Sequence, residues 1–133
     1  EGKYDVNWFE TAIKILGKEN QYIVIPCGGH GNISFVSQQL EKEGYSTIII
    51  TDGDTNGSHT LNRDIIELYA DPEYVNRRFH TDFKQMPRTK SGLFRAIREK
   101  DDVVKNVLSR WAKKHLTIDH PFVQEVARHL TEV

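Results

Sequence analysis

The chain has 133 residues, of which 38% are hydrophobic and 28% charged, with a net charge of −1. That is the composition of one globular domain, or of a domain with a small appendage. No apolar run reaches transmembrane length and no signal peptide opens the chain, so no membrane role is expected. The single cysteine, Cys27, excludes an internal disulfide and a cysteine-based zinc site, and a reducing, cytoplasmic location is the expectation.

In chain order, Asp5 to Leu16 predicts an amphipathic helix. Val6, Phe9, Ile13 and Leu16 recur at helical spacing, Asp5 stands as N-cap and Gly17 stops it. Tyr22-Ile23-Val24-Ile25 is short and β-branched, and predicts a buried strand ended by Pro26. Cys27-Gly28-Gly29-His30-Gly31 is a glycine loop. Asn32 is the expected cap of a second helix, with Ile33, Val36 and Leu40 inward, ended by Gly44. The run Ser46-Thr47-Ile48-Ile49-Ile50-Thr51 predicts a second buried strand, closed by Asp52-Gly53-Asp54. Thr60 to Tyr69 predicts a short helix with Leu61, Ile65 and Leu68 inward, stopping near Asp71-Pro72. Residues 78–83 are expected to form a further strand. Thr89 to Arg98 is expected to be helical. Asp101 to His115 is a clearer helix, with Val104, Val107, Leu108 and Trp111 as its apolar stripe. Pro121 to Leu130 predicts the last helix, with Pro121 in its first turn.

Helix, strand, helix, strand with short loops predicts an α/β domain: a parallel sheet flanked by helices. Residues 1–98 would form its core and 99–133 a helical extension. Glu1 stands where the strand of a preceding βα unit would end. An opening Glu in place of Met is expected of a fragment whose first strand lies outside it.

Asp52 and Asp54 fall at the C-terminal edge of the second predicted strand, the edge at which open α/β sheets bind ligands. Two carboxylates so close repel each other, and a divalent cation is a natural partner. An acidic turn is the plainer alternative, because Asp-Gly and Asn-Gly are common turn dipeptides. Charge divides along the chain: residues 1–70 carry 10 acidic and 5 basic side chains, and residues 71–133 carry 9 and 13. From Arg77 to Lys114 there are 12 Lys/Arg against 4 Asp/Glu. That excess suits a polyanionic partner, and equally suits a solvated helical surface.

The order Glu1-Gly2-Lys3-Tyr4-Asp5, amphipathic helix, strand with Gly28-Gly29, then strand ending Asp52-Gly53-Asp54 resembles the Toprim domain. That module is shared by topoisomerases, bacterial primases, recombination mediators and the "overcoming lysogenisation defect" (OLD) nucleases. The resemblance covers residues 1–57 and looks closest to the OLD nuclease branch or to small stand-alone Toprim proteins. It implies a Toprim-like (Rossmann-like) sheet and Mg²⁺-dependent (or Mn²⁺-dependent) cleavage of phosphodiester bonds in DNA or RNA. By the same resemblance Glu1 is the catalytic or metal-associated glutamate. Asp52 and Asp54 are metal ligands, and Asp5 fills a second acidic position. Lys84 and Lys90 are candidates for a downstream lysine of that branch. Lys84 is assigned to catalysis and Lys90 to substrate, and Asp82 is a possible extra ligand. Without a Walker A sequence, an ATPase part would lie elsewhere in the parent protein. Gly28, Gly29 and His30 are candidate substrate contacts at a helix N-terminus, although glycines there more often only permit the turn. His59 is a second loop histidine near the same edge.

Two other readings stay open. Asp52-Gly53-Asp54-Thr55 also matches the Asp-x-Asp-x-Thr motif of haloacid-dehalogenase-type phosphohydrolases, with Asp52 as nucleophile. The basic 77–114 segment could instead belong to a non-catalytic nucleic-acid-binding module.

Overall fold

A computed structural model describes residues 2–53 and 60–131. Among these residues the chain is helical. The elements are α1 (Asp5–Ile15), α2 (Ile33–Lys42), α3 (Pro72–Phe79), α4 (Lys90–Ala96), α5 (Asp101–His115) and α6 (Pro121–Thr131). Two single 3₁₀ turns, His30–Asn32 and Ile66–Tyr69, complete the set.

The predicted parallel α/β sheet is absent among the described residues. Residues 22–27 and 45–50 run without helix, turn or bend, but neither segment has a strand partner. A strand exists only as a pairing, because the ladder is what satisfies its N–H and C=O groups. β-Branched residues make a segment fit for pairing without supplying the neighbour. The one pairing described is an isolated parallel bridge between Thr51 and Thr60. The strand expected over 78–83 is also absent. α3 occupies 72–79, and His80 follows it in the left-handed conformation (φ 58°).

α3 explains that second error. Asp71-Pro72 starts a helix where the sequence reading placed only a stop. The Asp71 carboxylate accepts the Glu73 N–H (3.2 Å), and Pro72 sits at the first helical position, where its missing N–H costs nothing. The helix predicted over 60–69 is reduced to the 3₁₀ turn, though Leu61, Ile65 and Leu68 are buried as expected.

The core is built where α1 packs against α5 and α6. Trp8 of α1 is fully buried. Its ring lies 5.8 Å from Trp111 of α5 and 5.3 Å from Phe122 of α6, edge-on to the latter. Tyr69 of the second 3₁₀ turn meets the same Phe122 ring at 5.2 Å. Such tilted and edge-to-face rings add to the gain from burying large apolar area. Val104, Leu108 and Trp111 form the buried stripe of α5, and Val107 packs against its border. α6 starts cleanly: His120 Nδ1 accepts the Phe122 N–H at 3.1 Å, and Pro121 opens the helix. No helix among the described residues is long and apolar enough to cross a membrane.

α2 lies apart from this packing. Only Ile33 of its ten residues is buried, and Phe35 is 65% exposed.

Candidate functional site

Asp52 is held by the backbone on both sides of it. The Leu61 N–H donates to the Thr51 carbonyl (2.9 Å), and the Gly53 N–H donates to the Arg63 carbonyl (3.0 Å). Gly53 is required here for closeness. A Cβ at that position would overlap the carbonyl oxygens of Arg63 and Leu61, which are backbone atoms and cannot swing aside.

The 61–63 segment is fixed in turn from α6. Glu125, almost fully buried, accepts the Asn62 N–H (2.6 Å) through Oε1 and the Tyr69 hydroxyl through Oε2. His129 Nε2 lies 3.8 Å from the same Oε1. Burial, followed by the hydrogen bond to Glu125, pushes the Tyr69 phenol up, so it remains a donor at all ordinary pH values. Arg63 adds a bond from Nη1 to the Leu68 carbonyl (2.8 Å), with its guanidinium over the Tyr69 ring at 5.0 Å. Asp52 is therefore positioned by a chain of contacts that ends in the aromatic core.

Glu67, in the 3₁₀ turn, is the residue that sequence reasoning missed. Its side chain is 2% exposed, and its Oε2 has no hydrogen-bond partner. Burial pushes its carboxyl up to about 8, the negative charges of Asp5 and Asp52 add to that, and Lys105 opposes it. Asp5, at the start of α1, and Asp52 are both half-buried. Three carboxyl groups thus share one electrostatic neighbourhood, with Lys105 of α5 as the nearby cation. One signal was available in the sequence: Glu67 is the only charge in Ile65-Ile66-Glu67-Leu68-Tyr69-Ala70.

No protein-family model matches this chain, and no curated protein or solved structure matches it.

Of the residues singled out from the sequence, Asp5 and Asp52 are near enough for their negative charges to push the Glu67 carboxyl up. Glu1, Asp54 and His59 lie outside the described residues. Lys84 is exposed in the loop before α4. Lys90 begins α4 with an exposed side chain, and its backbone N–H donates to Asp64 Oδ2 at 3.2 Å. Asp82 is exposed. A cation that acts on Glu67 is Lys105, a residue the sequence did not single out. Gly28 and Gly29 take positive φ (75° and 127°) and turn the chain into the 3₁₀ turn that His30 opens.

Among the described residues, no three His, Cys, Asp or Glu side chains are arranged to hold a metal ion together. The donor set nonetheless suits a hard cation. It is all oxygen, and it includes a buried carboxylate oxygen without a partner. Mg²⁺ keeps several waters and binds through one or two carboxylates, so it needs no closed protein cage.

Proposed function

We propose that the chain is a nucleic-acid phosphodiesterase module that depends on a divalent cation. The cation would be held by one or two of Asp5, Asp52 and Glu67, with water or substrate oxygens as its remaining ligands, and Glu1 and Asp54 are the further ligands that the resemblance to Toprim implies. The observation that carries this reading is Glu67, a buried carboxyl with an unpartnered oxygen, within electrostatic reach of Asp5 and Asp52. Such a group is stable as the neutral acid or next to a positive charge. A bound cation would stabilise charge on the scissile phosphate and acidify an attacking water.

The protein's own residues do the rest. The 51–53 backbone bonds fix Asp52 against the 61–63 segment. Glu67 keeps a proton at neutral pH when no cation is bound, so cation binding would release that proton and tighten as pH rises. Arg77, Arg78, Lys84, Arg88, Lys90 and Arg95 are all exposed, on α3, on α4 and between them, and supply cations for a phosphate backbone.

The test is nicking of supercoiled plasmid, and cleavage of single-stranded RNA, with Mg²⁺ or Mn²⁺ and with EDTA. Asp52→Asn is expected to cut the rate at least 100-fold with the far-ultraviolet spectrum unchanged. Cleavage that persists in EDTA, or in Asp52→Asn, rejects the proposal. A second reading, a non-catalytic nucleic-acid-binding module, is favoured by the exposed cations of α3 and α4. It predicts binding that weakens steeply with salt, ignores the metal and leads to no cleavage.

A further inference from the structure

A groove of about 520 Å³ opens between the helices and the two segments at 22–27 and 45–50. Its apolar wall comes from three helices: Phe9 and Ile13 of α1, Val36 and Leu40 of α2, Val126 and Leu130 of α6. Both non-helical segments line it. Over 22–25 and 48–50 exposure alternates with a period of two: Tyr22 and Val24 are half-buried while Ile23 and Ile25 are exposed, and Ile48 and Ile50 are half-buried while Ile49 is exposed. That is the pattern of an extended backbone.

The backbone of these segments is unusual for so apolar a place. The N–H groups of Ile23, Val24 and Ile25 make no hydrogen bond to the described residues. The same holds for the N–H and C=O groups of Ser46 through Ile50. Two rows of open donors and acceptors therefore border one apolar groove. A small apolar molecule would fill the volume and leave the rows unmet. A helix has no free backbone groups to offer them. Only another extended polypeptide supplies N–H and C=O groups at the same spacing together with side chains for the wall.

Charge narrows the occupant further. Asp5, Glu19 and Glu43 line the groove, and no Lys or Arg does. Glu19 and Glu43 stand just before the two extended segments, at their starts. A strand bearing basic residues meets complementary charge there, and an acidic strand meets repulsion.

We propose that this groove is a docking site for an incoming polypeptide strand, β-branched and basic at one end. The strand pairs through its backbone with both segments and is not a second copy of this chain.

The test titrates the 133-residue protein with the acetylated, amidated peptide Lys-Lys-Thr-Ile-Val-Val-Ile-Thr, followed by amide hydrogen exchange. Saturation is expected to slow exchange at least tenfold at Ile23, Val24, Ile25, Ile48, Ile49 and Ile50 together. The same peptide N-methylated at alternate residues, and a Glu-Glu version in place of Lys-Lys, are each expected to bind at least tenfold more weakly. Val24→Lys, placed on the half-buried side of its segment, is expected to abolish protection at 48–50 as well. Protection of one segment alone makes the surface an ordinary open edge and overturns the proposal. Equal binding by the N-methylated peptide overturns it too. A dimer in light scattering, with these amides already protected before peptide is added, assigns the groove to a second copy and also overturns it.

Discussion

The α1–α5–α6 bundle and the stretch from Gly17 to Ile50 are both well supplied with large apolar side chains. In the bundle, Trp8, Leu108, Phe122 and Val126 are essentially sealed from water. In the other stretch Ile23 is 82% exposed, Phe35 65% and Tyr45 57%; Ile33 is buried, and Tyr22, Val24, Ile48 and Ile50 are partly buried against the main core. The difference is in partners, because amino-acid type is similar. A helix closes its own backbone hydrogen bonds and then needs only a neighbour for one stripe. A β-branched extended segment needs a neighbour for its backbone as well, and here none is provided among the described residues. Apolarity alone therefore does not tell which region is the core.

The contrast can be broken most sharply at Trp8. Trp8→Ala should cost about 4 kcal/mol, in the range for aromatic truncation in a packed core, whereas Phe35→Ala should stay within about 0.5 kcal/mol. Urea unfolding of the two variants checks this, and equal losses would remove the distinction between the regions. Next in size is Glu125→Ala. It leaves the buried Tyr69 hydroxyl without its acceptor and the Asn62 N–H with only the Tyr69 oxygen at 3.2 Å, and should cost about 2 kcal/mol given the usual penalty for buried groups left unpaired. Glu125→Gln keeps one acceptor and should cost about 1 kcal/mol on the same scale. Gly53→Ala should cost about 2 kcal/mol, typical of forced backbone shifts. It should also loosen Asp52, which is read as faster amide exchange at Gly53 and Leu61.

A further expected effect is a slope with pH. Glu67 carries a folded-state pKa of about 8 against 4.5 unfolded, so between those values the folded form holds a proton that the unfolded form has lost. Its contribution to stability is fully present below pH 4.5 and is lost as pH rises through 8. Glu67→Gln should flatten the fall in melting temperature between pH 5 and 8, and should raise stability at pH 8. Added Mg²⁺ should stabilise the parent protein more at pH 8 than at pH 6, and should do so little in Glu67→Gln. An unchanged pH slope in the variant would exclude Glu67 as the titrating group.

Much of the helical scaffold was legible. The Val104, Leu108, Trp111 spacing marks the inward stripe of α5, and its expected bounds, Asp101 to His115, are those observed. Asp5 to Leu16 nearly matches α1, which ends at Ile15. Asp5 is the first helical residue, however, where an N-cap had been expected. Asp71-Pro72 was misread because one dipeptide can close a preceding element and open the next, and only the Glu73 bond shows which. The isoleucine run at 48–50 was misread because period and β-branching report side-chain preference and say nothing of a pairing neighbour. Of the candidate site, Asp5 and Asp52 were visible as acids at element ends. Glu67 was hidden because a charge inside an apolar run reads as the outward face of a helix, and its burial depends on α5, far away in sequence.

That distance has a consequence for how the chain is made. Among the described residues α1 packs chiefly on α5 and α6, which begin about a hundred residues later. At ribosomal speeds of about 5–20 residues per second, Trp8 and its neighbours must wait on the order of 5–20 s for the last helix to emerge. Through that interval the Trp8, Ala12 and Ile13 face of α1 is in water beside the isoleucine segments. The newborn chain is thus a strong customer for holding chaperones, and its yield in a cell should depend on them more than its final stability suggests.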